Sequence, residues 1–446
     1  MNRNAFWPLI GASAGDDEYF IARFRSNNNS TDGMGVALNT DHDIYIAGAA
    51  NDGNAYALAF KLDKGGSEVW TKANTSIDYY RGCVVDSTDE PRVYFAGGDT
   101  GEFYMARHNA STGAIQYDAQ RTRSGVQAHC VHMGDNGNDR LCISGYSGNP
   151  DFQSQLGDTT LWVVDVSGNS SANTNDNFAV GSGAHDARGG ATIAQFNDSS
   201  AFVFMAGYNQ HGDANDKLVI CENSGTTRNR TIAFSDAGGT PGSLAVDTQA
   251  GPVYGTYLEG ANSNVFAFKI SPFGGGYSIN WAKQIGKVGG VNELSIRGAI
   301  KIYDSGNKIL TAIEDTTGAD EVHVYSLNTS DGSVNWERKL SSSFNDLSCS
   351  AIAIDPVDEE YFVLVGTDTS GGNSAFVCKL PIDGSGTGTY GSISYHTGSL
   401  HGISSKTIST VSRSVSNVTT NWGSGTSPGY SLTDKTFTEV EFQSVS

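Results

Sequence analysis

Basic residues are scarce: 28 Lys and Arg stand against 48 Asp and Glu, a formal net charge of −20 over 446 residues. A surface of that sign repels phosphate backbones and excludes nucleic acid as a general partner. No apolar run approaches the roughly 18 residues of a membrane-spanning helix, so no membrane partner is expected. The opening stretch, residues 1–15, holds one arginine and a short apolar run broken by Pro8, too short for the core of a secretory signal. There are only nine prolines, and long windows of helical periodicity are missing. The six cysteines, Cys83, Cys130, Cys142, Cys221, Cys349 and Cys378, lie in or beside apolar runs. Their spacing fits neither a zinc ribbon nor a small disulfide framework, and they read as buried reduced thiols.

Catalytic signatures are missing too. There is no His-Glu-x-x-His and no Gly-x-x-x-x-Gly-Lys-Ser/Thr. The single Gly-x-Ser-x-Gly, residues 425–429, has neither a strand before it nor a helix after it, so it reads as coincidence.

What is present is a repeat. Seven times a β-branched or aromatic run closes on a small residue, usually glycine. Ile44-Tyr45-Ile46-Ala47-Gly48, Val93-Tyr94-Phe95-Ala96-Gly97 and Leu141-Cys142-Ile143-Ser144-Gly145 are clear copies, as is the run from Phe202 to Gly207. Looser ones follow at 253–256, 309–312 and 362–366. The spacing of roughly 50 residues is that of a four-stranded propeller blade. With 55 glycines and 10% aromatics, the chain reads as turn-rich and all-β. The expected architecture is a seven-bladed β-propeller of four-stranded antiparallel blades with an extended C-terminal arm.

Within the first unit, strands are expected at 35–38, 43–48, 56–62 and 68–72, separated by Asn/Asp/Gly turns. One blade cannot bury both faces alone, so neighbours must stack. The segment near 18–24 resembles a third strand, and an N-terminal strand completing the last blade would close the ring. The expected layout is an N-terminal extension over 1–17, the propeller over 18–396, and a Ser/Thr-rich arm over 397–446. Two long intervals, 150–156 with 170–177 and 286–293, read as loop insertions.

The units Gly35-Val-Ala-Leu-Asn, Asp43-Ile-Tyr-Ile-Ala-Gly, Ala59-Phe-Lys-Leu-Asp and Trp70 resemble the propeller repeats of bacterial and phage proteins. The resemblance spans about 34–395 and implies the fold, not an activity. The Asp331–Trp336 turn is similar to the tryptophan-docking repeats of quinoprotein dehydrogenases. The adjacent cysteines and acidic calcium ligands of that family have no counterpart here, so no enzyme, cofactor or metal is expected. Tyr430-Ser431-Leu432-Thr433-Asp434 is similar to endings of virion proteins of marine tailed phages.

Candidate residues follow from placement. Trp70, Trp281 and Trp336 each follow a glycine-containing turn and suit wedges between blades, burying on the order of 200 Å² each. Alignment of the inner strands puts Met34, Arg81, Ala128, Arg188, Gly242, Arg297 and Cys349 at one position. Arg81, Arg188 and Arg297 would then form a speculative anion site at the channel mouth, since guanidinium forks suit carboxylates, phosphates and acidic glycans. His129 and His132 are expected on opposite strand faces, against joint metal binding. The acidic runs 39–43 and 135–139 lack the Gly and distal Glu of a calcium loop and read as turns.

In the arm, Tyr430, Leu432, Phe437, Val440 and Phe442 are the expected docking residues, adding a strand to a neighbour's sheet edge. The function expected is a non-enzymatic structural component of a tailed-phage virion, on the tail or an exposed appendage. It would be made in the host cytoplasm, present in multiple copies and bound to other virion proteins. A host-surface or glycan-binding adhesin and a polysaccharide-degrading enzyme with paired carboxylates are the alternatives.

Overall fold

The computed structural model describes residues 19–26, 30–86, 92–99, 102–122, 126–133, 140–147, 158–165, 172–180, 185–186, 191–199, 201–210, 217–224, 227–234, 239–259, 264–287, 294–295, 300–315, 320–343, 346–369, 372–398, 401–411, 415–418, 428–435 and 437–445. All regular structure among them is β. No helix there is long and apolar enough to cross a membrane.

The strands gather into successive antiparallel meanders. The first is Ser30–Leu38, Ile44–Asn51, Ala55–Leu62 and Glu68–Asn74. The second is Tyr79–Asp86, Arg92–Gly98, Glu102–Asn109 and Ile115–Thr122. The third runs from Val126–Met133 to Ala172–Val180, the fourth from Ala191–Gln195 to Thr227–Phe234, and the fifth from Gly239–Val246 to Gly276–Lys287. The sixth runs from Ile300–Tyr303 to Val334–Ser342. The seventh holds Leu347–Ile354, Tyr361–Asp368 and Ser374–Pro381. Their first strands touch in cyclic order, and Leu347–Ile354 touches Ser30–Leu38, so the ring is closed. That is the arrangement of a β-propeller.

The ring closes through the N-terminal segment. Tyr19–Ser26 pairs antiparallel with Ser374–Pro381, placing Phe20 opposite Lys379. It therefore lies outside the third strand as a fourth, whereas the sequence reading likened it to a third. Residues 172–177 are also corrected: they belong to the outer strand of the third meander, not to a loop. Residues 150–156 and 288–293 lie outside the described residues.

The core sits between meanders, because each sheet is apolar on both faces. Tyr45, Ala59 and Trp70 of the first pack with Tyr80, Phe95 and Tyr104 of the second. Phe20, Phe24 and Val377 of the last pack with Ile44, Leu58 and Phe60 of the first. At roughly 25 cal/mol per Å² this stacking is the main stabilising contribution.

The repeated glycine has a local cause. Each of several inner strands carries an extra unpaired residue: the register slips between Gly33 and Gly35, Tyr80 and Gly82, and Cys349 and Ala351. The bulge swings a carbonyl onto the second strand. A Cβ on Gly48 would lie 2.2 Å from the Asp32 oxygen, one on Gly97 2.0 Å from that of Tyr79, and one on Gly366 1.7 Å from that of Ser348. The motif ends on glycine because no side chain fits beside the bulge.

The largest departure from expectation is the C-terminal arm, which does not hang free. Leaving the seventh meander, the chain runs backwards round the rim and adds an antiparallel strand to one outer edge after another. Ile393–Thr397 pairs with the sixth meander, His401–Ser405 with the fifth, Thr410–Val411 with the fourth and Val415–Val418 with the third. Tyr430 rests on the second, Thr433–Asp434 pairs with the first, and Phe437–Val445 returns to the seventh, outside Tyr19–Ser26. The described strands of the arm add to outer edges of the same chain. Those outer strands are tethered near the arm at high effective concentration, which favours the intramolecular pairing.

The bulge account makes a prediction. Gly97→Ala should destabilise the protein by about 2 kcal/mol or more, whereas Gly275→Ala, with nothing within 4 Å of its Cβ position, should change it by less than about 1 kcal/mol. Equal urea midpoints for the two variants would show that the carbonyl contact does not constrain the second strand.

Candidate functional site

The first strands of the meanders enclose a channel of about 1060 Å³. Val36, Val84, Ile193, Leu244 and Ile352 are among its lining residues. Charged groups along it are Asp32, Glu314, Asp320, Asp355 and Glu359 against Arg81 and Lys301. Arg81 occupies the bulge of its strand and lines the channel, with its guanidinium 4.7 Å from the Tyr79 ring centroid. Arg188 and Arg297 lie outside the described residues. The described lining is thus acidic on balance, with Arg81 the one member of the expected anion site among the described residues. The inner-strand alignment is exact at Met34 and Arg81. It is one residue early at Ala128 and Cys349, where residues 129 and 350 are the extra ones. A bulge at residue 129 also breaks the simple strand alternation assumed for His129 and His132.

The tryptophans sit at the seams. Trp70 Nε1 donates to the Ala110 carbonyl of the next meander at 3.0 Å, and Trp281 Nε1 to that of Thr329 at 3.0 Å. Both indoles cover a turn glycine of that neighbour, Gly113 and Gly332, where a Cβ would meet the ring at 2.8 Å. Trp336 covers Gly384 in the same way and stacks on Phe362.

The sequence reading missed two parts of this seam. At the ring closure Phe20 takes the tryptophan's place, stacks on Phe442 at 5.3 Å, and both cover Gly66. A lysine opposite the aromatic recurs as well. Lys61, Lys269 and Lys379 pair in register with or next to Trp70, Trp281 and Phe20, and each lies over a tyrosine ring: Tyr45, Tyr254 and Tyr361. The recurring Lys in Lys61-Leu-Asp and Lys379-Leu was the signal available in the sequence.

The arm residues are engaged within the chain. Tyr430 lies tilted against Tyr104 at 5.3 Å, and its backbone N–H donates to Asp118. Leu432 is half-buried and Val440 exposed, and Phe437 pairs with Ser26 in the backbone register.

Other ionisable groups read as structural ties. Glu222, fully buried, accepts from Arg230 at 2.6 Å, Gln249 at 2.7 Å and Tyr277 at 2.8 Å. Burial alone would raise its pKa, but those bonds outweigh it and hold it low. His42, at the tip of a turn built by Asn39 Oδ1, reaches across the ring closure to Asp355 at 3.1 Å and Tyr361 at 3.0 Å. The 39–43 segment is therefore a turn, while 135–139 lies outside the described residues. Among the described residues no group of three or more His, Cys, Asp or Glu is placed to hold a metal. The described cysteines, Cys83, Cys142, Cys221, Cys349 and Cys378, are buried.

No protein-family model and no curated protein matches the chain. Among solved structures it is similar to the phage phi92 endosialidase at 11% identity, with a TM-score of 0.40 over 81% of this chain and 69% of that one. It is similar to the Dos1 propeller at 12% identity, with a TM-score of 0.46 over 81% of this chain and 95% of that one. Hsv2 of Kluyvelomyces marxianus matches at 8% identity and a TM-score of 0.42, over 76% of this chain and 90% of that one. These are likenesses of shape alone.

One seam carries a pH dependence. His108 is fully buried beside Trp70 and Phe95, and burial pushes it down to about 3, with the charge of Lys72 acting the same way. Its folded value lies below its unfolded one, so its contribution is present above about pH 6.5 and lost as the pH falls towards 3. His108→Phe should therefore compare more favourably with wild type at pH 5 than at pH 7, by about 2 kcal/mol. A difference in unfolding free energy that is the same at both pH values would mean that His108 charges freely in the folded state.

Proposed function

We propose that the protein is a non-enzymatic, seven-bladed propeller that serves as a structural part of a tailed-phage particle, in multiple copies. The observation that carries the structural part of this reading is the rim. An added strand on nearly every outer edge makes a rigid disc and uses main-chain contacts that an enzyme would have no need of. The phage attribution rests on the resemblance of its repeats and of Tyr430–Asp434. Because the C-terminal segment is taken up by its own rim, contacts to other virion proteins fall to the two faces of the disc.

A second reading is an adhesin that takes a glycan at the channel. The size of the channel and the charged groups along it favour it. Polyhydroxyl ligands suit a mouth that offers both acceptors, such as Asp32 and Glu314, and the donor Arg81.

Purified particles provide the test. Quantitative mass spectrometry is expected to find this chain at a fixed multiple of the major tail proteins, and antibody labelling to decorate one part of the particle. Particles without the chain would overturn the structural role. Retention of an immobilised host polysaccharide by the isolated protein, lost in Arg81→Ala, would favour the adhesin. Deleting residues 397–446 should expose the outer strands and cause aggregation; a soluble, folded truncation that merely fails to enter particles would instead restore the docking-arm reading.

A further inference from the structure

The rim segment overlaps itself at one place. Its beginning, Gly388–Tyr390, touches its last strand, Phe437–Val445. There the Glu441 carboxylate accepts the backbone N–H of Ser392 at 2.7 Å and also the Ser392 hydroxyl. Arg23 of the N-terminal strand stands 3.4 Å from the same carboxylate and holds Asp368 of the seventh meander at 3.0 Å. Arg23, Asp368 and Ser392 are all buried. Gly391, with φ of 59°, has no room for a side chain: a Cβ would strike the Glu441 carboxylate. Four segments distant in sequence thus meet around one glutamate.

The rest of the strap is weakly held by comparison. Its added strands run from two to five residues, against nine in Phe437–Val445. The last strand also brings the Phe442 ring onto Phe20 and buries Val445. Short pairings are marginal by themselves. They become durable when the two ends of the segment are fixed, because a closed loop cannot peel from a free end.

We propose that Glu441 is the buckle of a strap. It fastens the end of the rim segment to its own beginning, so residues 388–445 hold or release as one unit. Breaking the buckle loosens strands on the far side of the disc, without altering the meanders. This device is independent of any role in a particle.

Hydrogen–deuterium exchange on the full chain tests it. In Glu441→Ala, Arg23 keeps Asp368, so the buried guanidinium retains a counter-charge and the protein is expected to fold. Amides of His401–Ser405 and Val415–Val418 should exchange about tenfold faster or more, while those of Val253–Glu259 stay unchanged. Glu441→Gln, which keeps one acceptor oxygen and the side-chain size, should give the same pattern with smaller amplitude. Ile403→Ala, a substitution within the strap, should loosen only its own neighbourhood. Faster exchange confined to Phe437–Val445, or no change in either Glu441 variant, would overturn the proposal.

Discussion

Every sheet in this molecule ends in a row of backbone donors and acceptors, and the whole architecture turns on where those rows find partners. The inner edges face a channel in which the first strands touch their neighbours. The outer edges would be left open round the full circumference. The chain covers most of them with its own C-terminal segment, of which Ile393, Tyr395, Ile408 and Val445 turn inward. On five of the seven meanders what then lies outermost among the described residues is a strand of only two to five residues, a poor template for a foreign sheet.

The second constraint is stacking. A propeller of this size has no single core, only seams, and three of them share one device. At Trp70, Trp281 and Phe20 a large aromatic on an outer strand covers a turn glycine of the next sheet, with a lysine lying over a tyrosine ring beside it. Where the ring closes, the device is shared by two segments, Phe20 from near the start of the chain and Phe442 from near its end. The closure is therefore chemically like the other seams, although its parts lie at opposite ends of the sequence.

Much of this was legible in advance, and the reasons are local. Apolar runs ending on glycine, separated by Asn, Asp and Gly, dictate strands and turns through short-range preferences. The tryptophans after glycine turns fell at seams because both residues belong to one hairpin. Harder to read was anything decided by which edge a strand meets. Val440-Glu441-Phe442-Gln443 alternates as a strand should, but alternation carries no address, and the arm was assigned to another subunit. The same blindness hid Glu441 itself, whose partners Arg23 and Ser392 come from distant segments. The channel arginines rested on an alignment that a one-residue bulge shifts at Ala128 and Cys349, a slip that hydrophobic pattern cannot register.

The strand Tyr19–Ser26 lies between Ser374–Pro381 and Phe437–Val445, so both of its lateral neighbours are made long after it. Until then Phe20, Ile21 and Phe24, buried in the finished ring, have no sheet to enter. Synthesis of this protein is thereby tied to a long wait with an adhesive segment uncovered, the situation in which slow, non-local pairing invites misassembly.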